Sequence, residues 1–459
     1  MHAYEIESSS FRDPSGFLFR INGSIYRQIN QSYQKEYDFL MDSGLYKNLV
    51  DEKLLVPHEE VEIPPLLKDT VYKVIKPETI PFISYPYEWS FSQLKQAALT
   101  TLEIQKIAMK YEMTLKDCSA YNIQFQNGKP ILIDTLSFEK YEEGQPWKAY
   151  RQFCQHFLAP LALMSHTDIR LNQLLRIYID GIPLDLAKKL LPTRTLTMFS
   201  LLSHIHIHAK SQKHYEDKDI KIKERKIGRR SFIGIVESLH SGVKKLKWSG
   251  DKTEWGNYYS DTNYSDEAFS QKKEFVSKFL KEINPKLVWD LGANTGTFSR
   301  LASDMGINTI SFDIDPVAVE KNYLECLEKQ ENKILPLLLD LTNPSANIGW
   351  ANNERMSFAD RGPADVILAL ALIHHLVISN NVPLRRIVEF FKKNCNFLII
   401  EFIPKTDSQV KRLLSTREDI FDDYKKENFE KEFKKDFVIR DEIMINESER
   451  ILYSMEKIQ

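Results

Sequence analysis

Residues 288–299, Val-Trp-Asp-Leu-Gly-Ala-Asn-Thr-Gly-Thr-Phe-Ser, decide the fold of the C-terminal half of this chain. The apolar run over 287–291 predicts a buried strand, and the pattern from Thr297 onward predicts a helix. Gly292 and Gly296 lie in the loop between them, where glycine lets the backbone turn tightly and approach a ligand closely. Because open parallel sheets bind ligands at the carboxyl ends of their strands, we expect a ligand site at this loop.

Beyond this loop, apolar strands alternate with helical patterns, which predicts an α/β fold with a doubly wound, mostly parallel sheet. The predicted strands cover residues 309–313, 335–341, 364–373 and 397–402, and the predicted helices cover 316–329, 383–393 and 408–414. The last two apolar runs, 437–445 and 451–455, are joined by so short a connection that they suit an antiparallel hairpin at the sheet edge.

The N-terminal half has a different, mixed α+β pattern. Alternating residues over 16–29, interrupted by Asn22-Gly23, predict a hairpin. Helices are expected over 33–49 and 91–111, short strands over 71–75 and 80–87, and a helical region over 150–208. Residues 209–230 are highly charged, which favours an exposed linker or a solvated helix. We therefore expect an N-terminal domain over 1–208, a charged linker over 209–250 and an α/β domain over 251–459.

Composition limits the classes of function. The chain has 459 residues and a net charge of −2, so bulk attraction to nucleic acid or to an anionic membrane is not indicated. Its four cysteines are too scattered for a disulfide framework, which favours a reducing cytoplasm. The longest apolar run, 366–373, is too short to span a bilayer, and the N-terminus carries no signal-peptide pattern. The alternating His204, His206 and His208 would share one face of a strand and could bind a metal ion there, but the preceding residues 196–202 follow a helical pattern, on which the three would not converge.

A second acid supports a nucleotide site in the C-terminal half. Asp313 ends the next predicted strand, 23 residues after Asp290, and an acid there can accept hydrogen bonds from ribose hydroxyls. The Gly-x-Gly-x-x-Gly pattern of nicotinamide sites is absent. Asp290, directly before the glycines, would repel a pyrophosphate and suits a cationic ligand.

This constellation resembles motif I of the class I S-adenosylmethionine-dependent methyltransferases, over about residues 270–459. The resemblance implies a Rossmann-like seven-stranded sheet with an antiparallel terminal hairpin, and S-adenosyl-L-methionine as cofactor. In that family the loop holds the amino acid part of the cofactor, the second acid binds its ribose, and an acid after the third strand lies near the adenine amine. The cofactor-binding residues so implied are Asp290, Gly292, Asn294, Gly296, Asp313, Asp340 and Leu341. Asn294 replaces the family's middle glycine, which is tolerable if the loop needs no positive φ there.

Candidate substrate and catalytic residues flank the motif. The aromatics Trp255, Tyr258, Tyr259 and Tyr264 either cover the cofactor and line a substrate pocket or pack at the entry to the sheet. His374 and His375 follow the fourth strand, beside the methyl group in that family, and a histidine there can be a general base or a core residue. Glu401, at the end of the fifth strand, is expected at the same rim. No motif fixes the acceptor atom.

The N-terminal half contains a second constellation. Asp117 and Asn122 precede a predicted hairpin at Asn127-Gly128, and Asp134 follows it. This layout resembles the catalytic loop of protein kinases and aminoglycoside phosphotransferases, in which the first Asp is the base and the other two residues hold magnesium. The family's histidine before the first Asp and its glycine-rich phosphate loop are absent. The resemblance therefore implies a degenerate kinase-like domain, and the alternative is an ordinary α+β domain with an exposed hairpin.

As a whole, the chain resembles the nodulation-protein-related methyltransferases with a long N-terminal extension, through residues 255–265, 370–376 and 415–424. We expect methyl transfer to an acceptor that the sequence does not name, with the N-terminal domain aiding recognition of a substrate or partner. The alternatives are a kinase-like phosphotransferase with a nucleotide-sensing C-terminal domain, and a non-catalytic binding scaffold. The sequence does not indicate an oligomeric state.

Overall fold

The computed structural model describes residues 4–207, 226–250, 265–415 and 417–458. The chain divides into two compact units. The N-terminal unit comprises Met1–Ser249 together with Asn347–Arg355, and the C-terminal unit comprises Gly250–Ala346 and Met356–Gln459. No helix within the described ranges is both long and apolar enough to cross a membrane.

The N-terminal unit begins with an antiparallel sheet of five strands in the order β1-β2-β3-β5-β4. Its strands are β1 Tyr4–Ile6, β2 Gly16–Ile21, β3 Ser24–Asn30, β4 His58–Glu60 and β5 Val71–Pro77. Asn22 and Gly23, with φ of 49° and 80°, turn β2 into β3, so the predicted hairpin is confirmed.

Two helices replace the single helix that was predicted over 33–49. They are α1 Gln34–Asp42 and α2 Leu45–Asp51. Gly44 separates them with a φ of 82°, a left-handed conformation that interrupts helical hydrogen bonding.

The rest of this unit is largely helical. Its helices are α3 Phe91–Lys110, α4 Tyr150–Phe153, α5 Ala159–His166, α6 Leu174–Ile177, α7 Leu184–Leu190, α8 Phe199–Leu201 and α9 Arg229–Lys245. Its short strands are β6 Met113–Leu115, β7 Ile123–Gln126, β8 Lys129–Leu132 and β9 Phe138–Lys140. The predicted hairpin at Asn127-Gly128 is confirmed, because β7 pairs with β8 there.

The prediction of a strand over 80–87 was wrong. Pro81 and Pro86 have no backbone N–H to donate to a sheet. The side chain of Gln124 takes the place of a strand partner, since its Oε1 accepts the N–H of Ser84 at 2.8 Å and its Nε2 donates to the Ser84 carbonyl at 2.9 Å.

Part of the segment predicted as a charged linker is instead a packed helix. In α9, Phe232, Val236, Leu239 and Val243 are buried. These residues recur at intervals of three and four, so they form one apolar stripe between the charged positions. The helix packs against α3, and residues 209–225 of the predicted linker lie outside the described residues.

The described histidines of the alternating set bind neighbouring side chains. His204 Nδ1 lies 2.7 Å from the hydroxyl of Tyr150, and His206 Nε2 lies 2.9 Å from the hydroxyl of Thr195. His208 lies outside the described residues. These hydrogen bonds give His204 and His206 a structural role.

The C-terminal unit is built on a sheet of seven strands in the order β12-β11-β10-β13-β14-β16-β15. The strands are β10 Leu287–Leu291, β11 Asn308–Asp313, β12 Ile334–Leu338, β13 Ala364–Ala369, β14 Cys395–Phe402, β15 Phe437–Met444 and β16 Ile451–Lys457. The first five in the sheet order are parallel, and β16 and β15 form the antiparallel hairpin predicted at the edge.

The helices of this unit lie before, between and after the parallel strands, and they include those that the alternating pattern predicted. They are α10 Asp266–Ile283, α11 Thr297–Asp304, α12 Pro316–Lys329, α13 Leu384–Asn394, α14 Ser408–Leu414 and α15 Lys426–Phe433. The chain runs from β10 to one side through β11 and β12, then crosses to β13 on the other side. The carboxyl end of β10 is therefore the point where the strand order reverses, at which such sheets bind ligands.

Two strands end earlier than predicted, and both ends contribute to that crevice. β12 stops at Leu338, so Asp340 and Leu341 lie in the following loop. β13 stops at Ala369, and Ala371 then adopts a φ of 50° before the chain enters a helical turn.

Candidate cofactor site

The loop after β10 turns through three left-handed residues, Gly292, Asn294 and Gly296, with φ of 78°, 51° and 81°. The backbone N–H groups of Gly292 and Ala293 both donate to the Phe312 carbonyl at 2.9 Å, which fixes the loop against β11. The middle position therefore does need a positive φ, whereas from the sequence asparagine was expected to be tolerable there if no positive φ was needed. Asparagine meets this need because it is among the residues that best tolerate the left-handed region.

Asp290 is a buried carboxylate at the base of the loop. Its side chain is 2% exposed, and the Ser299 hydroxyl donates to its Oδ2 at 2.6 Å. Burial raises the pKa of Asp290 to about 7, the nearby carboxylate of Asp313 adds to the rise, and Lys272 opposes it. A carboxylate kept from water in this way favours a ligand that brings positive charge.

Asp313, at the end of β11, is the second buried carboxylate. It accepts the backbone N–H of Asn294 at 2.7 Å through Oδ2 and that of Asp315 at 2.8 Å through Oδ1. Burial raises its pKa to about 6, against the lowering effect of these backbone hydrogen bonds. Asp313 thus holds the glycine loop in position while it faces the same crevice.

A cavity of about 1230 Å³, its open mouth included, lies over these groups. Of the residues predicted to bind a cofactor, six line it: Asp290, Gly292, Asn294, Asp313, Asp340 and Leu341. Gly296 lies at the start of α11, where a Cβ atom would come within 2.6 Å of the Asn322 amide. Asp340 Oδ1 accepts the N–H and the hydroxyl of Thr342 at 2.8 and 2.6 Å, which orients its carboxylate at the cavity wall.

The three candidate catalytic residues lie in different environments. His375 lines the cavity, and burial lowers its pKa to about 4. His374 is 2% exposed, and burial lowers its pKa well below the ordinary value, with His375 and Arg450 adding to that effect. Glu401 is fully buried and accepts a hydrogen bond from Lys272 at 2.7 Å. Among the three, His375 is thus the residue that lines the cavity.

Several cavity residues were not predicted from the sequence. Lys272 of α10 lines the cavity beside Phe269 and Phe298. Its position carried a signal: Ala268, Lys272 and Val276 follow each other at intervals of four, so a lysine occupies the apolar stripe of the helix. The aromatics Trp255, Tyr258, Tyr259 and Tyr264 lie outside the described residues.

In the N-terminal unit, the residues predicted as a kinase-like remnant share one polar cluster. Asp134 pairs with Arg27, accepts the N–H of Leu136 at 3.0 Å, and accepts the Ser137 hydroxyl at 2.7 Å. Burial acts to raise the pKa of Asp134, but Arg27 and these hydrogen bonds outweigh it and lower the pKa.

The other two members lie beside Asp134. Asn122 Nδ2 donates to the hydroxyl of Ser137 at 3.4 Å, and Asp117 accepts the Ser119 N–H at 2.8 Å. Burial raises the pKa of Asp117, and the charge of Asp134 adds to the rise.

Both carboxylate oxygens of Asp134 accept hydrogen bonds from protein donors. A magnesium ion bound by Asp134 would therefore have to displace Arg27 from its ion pair with this carboxylate.

Comparisons with solved structures give only remote likenesses. Magnesium protoporphyrin IX methyltransferase (ChlM) from Synechocystis PCC 6803, with bound SAH, is 17% identical, with 44% of this chain and 93% of that chain covered and a TM-score of 0.33. N-methyltransferase NodS from Bradyrhizobium japonicum WM9 is 12% identical, covering 42% and 99%, with a TM-score of 0.31. WbdD, crystallised with the kinase inhibitor LY294002, is 13% identical, covering 43% and 42%, with a TM-score of 0.30.

Sequence comparison gives a much nearer relative. No family model matches the chain. Nodulation protein NoeA of Rhizobium meliloti (strain 1021) is 36% identical over 459 residues, which cover 98% of this chain and 96% of that protein. A match of this extent includes both units, and the chain therefore belongs to the family of nodulation protein NoeA.

Proposed function

We propose that the C-terminal unit transfers a methyl group from S-adenosylmethionine to an acceptor. The observation that carries the proposal is the pair of buried carboxylates, Asp290 and Asp313, on either side of a left-handed glycine loop at the reversal point of the sheet. Their raised pKa values favour a ligand that brings positive charge. A dinucleotide would bring its pyrophosphate against both carboxylates, so a nicotinamide cofactor fits less well.

Each acid along the cavity suits one part of this cofactor. Asp290 would accept the ammonium group of the amino acid part, Asp313 the ribose hydroxyls, and Asp340 the adenine amine. Asp340 and Leu341 follow β12 in the loop that lines the cavity. The order of the acids along the sheet, β10, β11 and β12, matches the order of these three chemical groups in the cofactor.

When bound, S-adenosylmethionine supplies a methyl group on a sulfonium, which a nucleophilic acceptor atom can attack. Burial lowers the pKa of His375 to about 4, which leaves its ring neutral at pH 7 but weakly basic, and the neutral ring is the form that takes up the proton that the acceptor releases. We assign His375 this role because it lines the cavity. His374 and Glu401, both buried, would act by positioning their neighbours.

We assign the N-terminal unit to recognition of the acceptor or of a partner. Phosphotransfer is the second candidate, because Asp117, Asn122 and Asp134 belong to one polar cluster. The ion pair between Arg27 and Asp134 disfavours it, since magnesium would need that carboxylate.

The proposal is tested by calorimetric titration of the full chain with S-adenosylhomocysteine, with NAD⁺ as a parallel ligand. We expect micromolar binding of the first ligand alone. Asp313→Ala should weaken it tenfold or more, because a hydrogen bond to a charged group contributes roughly 1.5–3 kcal/mol and about 1.4 kcal/mol is tenfold in affinity.

Asp304→Ala, which removes an exposed carboxylate from α11, is the matched control and should bind as the wild type does. Since Asp313 also accepts two backbone N–H groups, thermal unfolding of each variant is recorded beside the titration. Unchanged affinity in a folded Asp313→Ala variant would refute the ribose assignment, and binding of NAD⁺ alone would refute the proposed cofactor.

A further inference from the structure

Lys272 carries a positive charge into an otherwise apolar and acidic part of the cavity. Its side chain is 3% exposed, and it lines the cavity together with Asp290. The ammonium lies 2.7 Å from Glu401 Oε2 and 4.9 Å from the centre of the Phe298 ring. A buried lysine is costly unless it is paired, so a core position of α10 would ordinarily hold an apolar residue.

The pairing of Lys272 belongs to a buried row of alternating charges. Arg450 Nη1 lies 3.9 Å from the other oxygen of Glu401, and Arg450 Nε donates to Asp407 at 2.8 Å. Two cations thus alternate with two anions, and all four side chains are buried or nearly so. Burial lowers the pKa of Lys272, and the charge of Glu401 and its hydrogen bond to the ammonium oppose that lowering.

Glu401 also fixes the cavity wall next to the ammonium. Its Oε2 accepts the N–H of Ala371 at 2.7 Å. Ala371 has a φ of 50°, a conformation that costs a residue with a Cβ atom free energy and persists where surrounding contacts hold it. One carboxylate therefore holds both the lysine and the strained backbone of residue 371, which also lines the cavity.

Lys272 and Asp290 are close enough for each charge to move the pKa of the other. A cation and an anion at one end of a cavity are complementary to a ligand end that carries both charges. The α-amino acid group of S-adenosylmethionine is such a zwitterion. The far side of the cavity presents Asp313 and Asp340 instead, which suit hydroxyl and amine groups.

We propose that Lys272 is a specificity-determining residue that binds the carboxylate of the cofactor's amino acid part, with Glu401 as its positioning residue. This inference rests on the proposed function and deepens it. The ammonium of the ligand goes to Asp290 and its carboxylate to Lys272, so that the pair selects a ligand with an intact amino acid end. A lysine that only filled the core would not distinguish ligands that differ in this carboxylate.

The test compares two ligands by calorimetry: S-adenosylhomocysteine and its decarboxylated analogue, which keeps the adenosine, thioether and amine. The wild-type chain should bind the first at least tenfold more tightly than the second. Lys272→Met should weaken S-adenosylhomocysteine tenfold or more and change the analogue by less than threefold. Lys281→Met, an exposed position on the same helix, should leave both affinities unchanged.

Lys272→Met leaves Glu401 without this partner, so the variant can fail to fold. The double variant Lys272→Met, Glu401→Gln removes both charges and should show the same loss of preference between the two ligands. Equal binding of both ligands by the wild type, or an equal loss for both in a folded variant, would overturn the inference while leaving the cofactor assignment intact. Failure of the wild type to bind either ligand would overturn the proposed function as well.

Discussion

The glycine loop allows a prediction that separates backbone strain from steric clash. Gly296 and Gly306 flank α11 and have nearly the same φ, 81° and 83°. A Cβ atom at position 296 would lie 2.6 Å from the amide of Asn322, whereas at position 306 it would meet nothing within 4 Å. Gly306→Ala is thus the matched control for Gly296→Ala.

The magnitudes follow from these contacts. An alanine in the left-handed region costs roughly 1–2 kcal/mol at either position. At position 296 the clash adds roughly 1–3 kcal/mol, the usual cost of overpacking. Moving Asn322 would also break its 2.8 Å hydrogen bond to Ser311, worth about 0.5–1.5 kcal/mol. We expect Gly306→Ala to lose roughly 1–2 kcal/mol and Gly296→Ala roughly 2.5–6.5 kcal/mol of unfolding free energy.

Urea denaturation of both variants measures the difference, and titration with S-adenosylhomocysteine measures its consequence for the loop. Gly296→Ala should bind the ligand less tightly, because residues 292–296 are fixed to the neighbouring strand. Gly306→Ala should bind it as the wild type does. Equal losses of stability in the two variants would show that Asn322 moves aside without destabilising the fold. That result would refute the steric clash expected between residue 296 and Asn322.

Three further predictions concern charge. Affinity for S-adenosylhomocysteine should fall as the pH drops from 8 to 6, because Asp290 and Asp313 have pKa values raised to about 7 and 6 and must lose protons to accept the ligand; a flat pH profile by calorimetry would contradict this. Asp290→Asn should weaken binding of S-adenosylhomocysteine tenfold or more. The same variant should unfold at an unchanged or higher temperature at pH 8, because a carboxyl group with a raised pKa destabilises the folded state when it ionises at high pH. A lower melting temperature would contradict the view that burial destabilises the ionised form of Asp290. Arg27→Met should destabilise the fold by roughly 1–3 kcal/mol, because it leaves the partly buried carboxylate of Asp134 without its ion-pair partner, and adding Asp134→Asn should restore part of the loss in thermal unfolding; an unchanged melting temperature for Arg27→Met would refute the importance of this pair.

Local sequence patterns predicted the C-terminal unit well. The strand before Gly292 and the helix after Gly296 are both confirmed, as is the terminal hairpin at the sheet edge. These signals are strong because buried parallel strands are short apolar runs and the helices between them keep a regular stripe. The same regularity placed Asp290 and Asp313 at strand ends, and hence at one crevice.

Features set by long-range contacts were harder to predict. The irregular path of 80–87 depends on the side chain of Gln124, forty positions away. No role was predicted for Lys272, because its place in the cavity depends on a hydrogen bond to Glu401, which lies 129 positions further along the chain. The backbone conformation of Asn294 could not be predicted either, because its local sequence is compatible with a positive or a negative φ. In the structure its φ is positive, and its N–H donates to Asp313, 19 positions along the chain.

The histidine pair shows a further limit of sequence reasoning. His374 and His375 are adjacent and chemically equal in the sequence, yet His375 lines the cavity and His374 is enclosed in the core. The chain leaves β13 through the left-handed Ala371 and enters a helical turn, which sends neighbouring side chains in different directions. A strand that continued to residue 373 would have placed both histidines at the sheet edge, without indicating which of them faces the cavity.

A crystal structure of the full chain grown with S-adenosylhomocysteine tests the central claim most directly. The account predicts ligand density in the cavity after β10, with the ribose hydroxyls on Asp313, the adenine beside Asp340 and Leu341, and the amino acid end between Asp290 and Lys272. Ligand density elsewhere, or a ligand in this cavity with its ribose away from Asp313, would contradict it.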